Sequence, residues 1–136
     1  MAERIESFRD LNVDTLAMEL QQEIFVLSKG FPKEELYSLT DQARRASRAV
    51  GANTAEARHK RRYPAHFVGK LTDADAEQAE TQHWLDTARA CAYISVPRHK
   101  TLLEKCATIG RMLGRMMSQP ECFCGHQTTN RRRETN

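Results

Sequence analysis

Glycine and proline are scarce in this 136-residue sequence, at 6 and 4 respectively, and runs of β-branched residues are almost missing. The first shortage leaves few helix breakers, and the second removes the usual material of strands. No apolar run approaches the roughly 20 residues that cross a bilayer, and the opening MAERIESFRD carries charge where a secretory leader needs an apolar segment. A membrane partner is therefore not expected, and the chain reads as a soluble cytoplasmic protein. Also lacking are a Ser/His/Asp set, a glycine-rich phosphate loop and a CxxC pair. No enzyme activity and no cofactor are expected.

Cysteine is too sparse for a disulfide framework: only Cys91, Cys106, Cys122 and Cys124 occur. Cys91 and Cys106 fall near helical apolar positions, where a thiol acts as a small hydrophobe. Cys122-Phe-Cys124-Gly-His126 has some look of a metal site, but zinc usually takes four ligands and no second pair stands elsewhere. Glu56 with His59 and Glu80 with His83 share the Glu-x-x-His spacing of di-metal bundles. The matching carboxylates on the other helices are missing, because Glu19 and Glu23 only flank an apolar stripe. No metal is expected at either place.

What the sequence does have is helical periodicity. Val13, Leu16, Leu20, Ile24 and Leu27 recur at three and four residues and predict a helix near 9–29, stopped by Gly30 and turned by Phe31-Pro32. Leu36, Leu39, Ala43, Ala46, Val50 and Asn53 predict a second helix to about Arg58, with Ser38 and Asp41 as a capping box. Pro64 opens a third, whose stripe is Phe67, Leu71, Ala74, Gln78, Thr81, Leu85, Ala88 and Ala92. Pro97 opens a fourth, with Leu102, Cys106, Ile109, Leu113 and Met116, and Pro120 closes it. Short connections make neighbours antiparallel. The fold class expected is all-α, an up-down antiparallel four-helix bundle over residues 1–119, followed by a flexible polar tail over 120–136.

Net charge is only +3, yet it is uneven. Arg44, Arg45, Arg48, Arg58, Lys60, Arg61 and Arg62 fall close together, whereas Asp73, Asp75, Glu77, Glu80 and Asp86 make the next stretch acidic. Arg44 and Arg48 project away from the apolar side of the second helix, one turn apart, with Arg45 on the flank and Asp41 near enough to pair with one of them. Two readings follow. The seven cations contact the phosphates of RNA or DNA, with Tyr63 and His66 as a stacking ring. Alternatively they pair with acids on neighbouring subunits or on a protein partner, and the chain is an interaction scaffold.

The run GFPKEELYSLTDQARRA, followed by Asn53, Glu56 and HFVGKL…AETQHWL, resembles the four-helix-bundle proteins encoded in intervening sequences of bacterial 23S rRNA genes. The likeness covers about residues 8–118. The segment Phe31-Pro32…Glu35…Leu39-Thr40-x-Gln42…Arg45-Ala46 carries most of it. The family's Ser-Ile-Pro-x-Asn-Ile-Ala-Glu-Gly pattern stands here as Arg48 to Ala57, keeping Asn53 and Glu56 without the serine, proline and final glycine. Its later Gly-Ser is Ala76-Glu77, while Glu80 and Trp84-Leu85 agree. The resemblance implies a bundle that assembles as a ring-like homopentamer, and, through a distant branch of retroelement accessory proteins, a basic surface that engages nucleic acid. Gln42, Asn53, Glu56 and Glu80 are accordingly expected to be structural polar positions.

Overall fold

The computed structural model describes residues 12–124, and the regular elements within them are all helical. Four long helices run α1 Val13–Ser28, α2 Asp41–His59, α3 Pro64–Ala90 and α4 Val96–Ser118. Asn12 starts α1 by accepting the Thr15 amide on its side chain at 2.9 Å; the residues before it, where the first helix was expected to begin, lie outside those described. At the far end, the Lys29, Gly30 and Phe31 amides fold back onto the carbonyls of Val26, Leu27 and Ser28.

The link to α2 departs from the sequence expectation. A 3₁₀ turn over Lys33–Glu35 and a π turn over Leu36–Thr40 precede α2. Leu36 is 41% exposed, so the apolar stripe begins at Leu39. The expected capping box does not form either: Ser38 donates instead to Glu35 at 2.9 Å. The π turn inserts a residue into the helical register and so shifts which side chains face inward.

Pro64 occupies the first turn of α3 as expected. That helix ends through Ala92, which takes φ 62° while the Tyr93 amide reaches back to the Ala88 carbonyl at 2.8 Å. Ala92 thus leaves the stripe and is exposed. Ser95 caps α4 by accepting the Arg98 amide.

α2 packs broadly on α3 and α3 on α4, α1 lies along α2, and the α1/α4 seam is the narrowest of the four. Helices adjacent in sequence are adjacent in space, which is the up-down antiparallel bundle. Val13, Leu16, Leu20 and Ile24 from α1 meet Phe67, Leu71, Ala74, Leu85 and Ala88 from α3 and Leu102, Cys106, Ile109, Leu113 and Met116 from α4. Each large side chain so buried contributes about 1.5–3 kcal/mol. Gln78 and Thr81 join this core as the spacing predicted. Gln78 keeps its amide satisfied within its own helix, donating to Asp75 and accepting from Gln82.

Asn53 does not extend the α2 stripe. Its amide donates to the Ala49 carbonyl at 2.9 Å and the residue is half-buried, while Thr54 and Ala57 take the inward places. Burial of Thr54 is tolerated because its hydroxyl donates to the Val50 carbonyl at 2.8 Å. Beyond α4, residues 121–124 make one further helical turn. Phe123 stacks on Phe67 with ring centroids 6.1 Å apart, and Cys124 is buried. The first turn of the expected tail therefore packs on the core; residues 125–136, His126 included, lie outside those described. No helix among the described residues is long and apolar enough to cross a membrane.

Candidate nucleic-acid interface

The arginines that the sequence groups together are sent by the bundle in different directions. Arg45 turns toward α3, where its guanidinium pairs with both Glu77 and Glu80. Those carboxylates hold Arg45 firmly charged, Glu80 contributing most. Glu80 also accepts the Trp84 indole N–H at 3.1 Å, which with Arg45 draws its pKa below the ordinary carboxylate value. Arg58 points the other way, toward α1. Its Nε lies 2.7 Å from an Asp14 oxygen, a charge contact outside aligned hydrogen-bond geometry. Both cations are neutralised within the chain.

Arg44 and Arg48 are not. Arg44 donates through Nε to the buried Ser28 hydroxyl at 2.7 Å and lays its guanidinium 4.8 Å from the centre of the Phe25 ring. Arg48 sits 5.5 Å from the same ring, and Lys29 4.8 Å from it. Three cations thus gather on one half-buried phenyl, held by its π face and a hydroxyl, with no ion pair to a described residue. Asp41, one turn earlier, pairs with none of them. The local ion pair expected on α2 does not form, because Arg44 and Arg45 each find partners on a neighbouring helix.

The basic turn closes α2 and carries a second group. The Lys60 amide bonds the Glu56 and Ala57 carbonyls, and Tyr63 leads into Pro64. Arg61 and Arg62 are exposed, and neither they nor Lys60 forms an ion pair with a described residue. Tyr63 meets His66 edge-on at 5.9 Å and is 61% exposed, the aromatic pair that the spacing suggested.

Of the positions expected to be structural and polar, Glu56 pairs with Lys70 at 2.9 Å and Glu80 with Arg45 and Trp84. Gln42 and Asn53 are half-buried. The two Glu-x-x-His pairs do not converge, and no group of three or more potential metal ligands gathers among the described residues. Glu19 and Glu23, set beside the apolar stripe of α1, both bind Lys105 of α4, at 3.0 and 2.8 Å. Burial works against that ammonium, but the bonds to Glu23 and Glu19 outweigh it and raise its pKa. Sequence reasoning missed Phe25, Ser28 and Lys29 as a setting for Arg44 and Arg48. The available signal was the i, i+4 spacing of Phe25 and Lys29 away from the α1 stripe.

These features define a four-helix bundle with an unneutralised cationic face across α1 and α2 and a second cationic group at the α2–α3 turn. The chain belongs to the 23S rRNA-intervening sequence protein family, whose model matches residues 9–115. A crystal structure of a protein of unknown function from the S23 ribosomal protein family of Bacteroides thetaiotaomicron has the same fold. It aligns with a TM-score of 0.70 at 24% identity, over 77% of this chain and 97% of that one. No curated protein matches the chain.

Proposed function

We propose that this chain is a non-catalytic nucleic-acid-binding bundle that grips phosphates with Lys29, Arg44 and Arg48 on one face and Lys60, Arg61 and Arg62 at the turn. The observation that carries the reading is the gathering of three cations on Phe25 with no acid among them. Clustered like charges repel, and a chain with acids at hand gains by neutralising them, as it does at Arg45 and Arg58. Cations kept together on a rigid platform are preorganised for an anion supplied from outside. RNA is the first probe to use, because the family's description ties it to 23S rRNA, and an RNA partner accords with a cytoplasmic protein.

Self-association belongs to the same proposal. Met18 and Val26, 55% and 62% exposed, flank the cationic group on the outer face of α1 and give apolar area for a second copy. Packing by opposite charge is the weaker route to a ring, since Glu77 and Glu80 are already occupied by Arg45.

The test is fluorescence anisotropy on a labelled structured RNA with two variants of equal net charge. Arg44→Glu with Arg48→Glu is expected to weaken binding by about tenfold or more, because a phosphate that is no longer neutralised keeps its condensed counterions. Lys100→Glu with Arg111→Glu, on α4, is expected to change it far less. Equal losses in both variants would reduce the site to net charge alone.

A further inference from the structure

At the α2–α3 turn the surface opens into a cavity of about 510 Å³, lined by Lys60, Ala65, His66, Gly69, Lys70 and Asp73. A second cavity of about 280 Å³ adjoins it through Lys60 and His66 and adds His59 and Tyr63. The first is an open depression, so a ligand seated there keeps one side in solvent. Its chemistry is mixed in a particular way. Two ammonium groups stand at the wall, an exposed aromatic ring stands at the rim, and one carboxylate is the sole anionic group of the lining. Gly69 leaves the floor bare: a Cβ built there meets nothing within 4 Å.

We infer that this cavity is a nucleotide subsite, taking one nucleotide unit of the bound strand. Its phosphate sits between Lys60 and Lys70, its base lies against Tyr63, and Asp73 accepts from a sugar hydroxyl or base amine. Lys70 already pairs with Glu56 at 2.9 Å and lies 4.0 Å from Asp73, but an ammonium has three donors and can hold a phosphate beside those carboxylates. Tyr63 is free to stack, being 61% exposed and touching His66 only at its edge. Arg61 and Arg62, both exposed, follow Lys60 in the same turn and offer further cations to a continuing strand. The inference rests on the proposed binding of nucleic acid, and it adds a contact with one base to what is otherwise contact with phosphates alone.

The full chain is titrated with adenosine 5′-monophosphate, inorganic phosphate and an eight-nucleotide RNA, the first two followed by NMR and the third by anisotropy. The nucleotide is expected to shift Tyr63 and His66 resonances and to bind about tenfold tighter than phosphate, the margin that base stacking supplies. Gly69→Phe fills the cavity, alters no charge and replaces a helix-weakening residue. It is expected to abolish nucleotide binding and weaken the octamer severalfold, with an unchanged helical circular dichroism spectrum. Tyr63→Ala, in the turn outside the helices, is expected to remove the margin over phosphate and serves if Gly69→Phe does not fold. Nucleotide bound no better than phosphate, or bound equally by the parent and Gly69→Phe, overturns the subsite. If the octamer binds both proteins alike and the nucleotide binds neither, the cavity assignment fails and strand binding stands. If the nucleotide binds in the cavity and the octamer never binds, the subsite stands and the strand reading fails.

Discussion

At the scale of single residues, the Glu80 carboxylate shows how a charge on this surface is committed. It accepts from the Trp84 indole and from Arg45, and both draw its pKa below the ordinary carboxylate value. A carboxyl with a lowered folded pKa adds stability that is present above its unfolded value and is lost as pH falls through the folded one. Arg45 is half exposed, so solvent screening limits the pair to about 0.5–1 kcal/mol. Glu80→Gln is expected to lower the melting temperature slightly at pH 7 and by less at pH 3, because acid protonates the native carboxyl and removes the stability that its lowered pKa supplies. Thermal melts of both proteins at the two pH values check this; a gap undiminished in acid would deny the ion pair its role. The same commitment is why Arg45 is left out of the proposed contact with nucleic acid, in contrast to Arg44 and Arg48. By contrast Cys106, whose thiol is pushed up to about 12 by burial and secondarily by Asp86, stays an inert member of the core.

At the scale of elements, two glycines mark different helix contacts. A Cβ at Gly51 of α2 meets the Ala17 Cβ of α1 at 3.6 Å, an ordinary contact, whereas one at Gly110 of α4 meets the Gln78 amide nitrogen of α3 at 2.9 Å. Gly51→Ala is expected to stabilise by about 0.5–1 kcal/mol through helix propensity. Gly110→Val is expected to destabilise by about 1–3 kcal/mol, because Gln78 is buried and held by Asp75 and Gln82. Urea unfolding of the two variants measures both, and a stabilised Gly110→Val would show the α3/α4 seam to be looser than this packing implies. The helices themselves were legible in the sequence: the α3 stripe from Phe67 to Ala88 and the α4 stripe from Leu102 to Met116 are buried residue for residue. Such stripes can be read because a sustained period of three and four has one structural solution. The α1–α2 link could not be read that way, since a π turn obeys neither period. Asn53 misled because Thr54, the true core residue, hides its polarity in a bond to its own helix. The arginines were found as a group, but their partners Ser28, Asp14 and Glu77 come from other helices, and local spacing cannot reveal them.

At the scale of the whole molecule, the narrow α1/α4 seam is bridged by Lys105, held between Glu19 and Glu23. The two cationic groups stand at different points along α2, one against α1 and the other just past the end of α2 at the turn into α3. Arg48 and Lys60 are twelve residues apart, so at about 1.5 Å per residue they stand roughly 18 Å apart along α2. A single strand reaching both would present several phosphates on the way, and the contacts at its two ends would act together. The decisive experiment is the salt dependence of the parent protein's affinity for a structured 23S rRNA fragment. Six cations acting together predict a log–log slope of about −4 to −5. No binding at low salt, or an affinity indifferent to salt, would contradict the phosphate-gripping role and return Lys29, Arg44 and Arg48 to a structural one on Phe25.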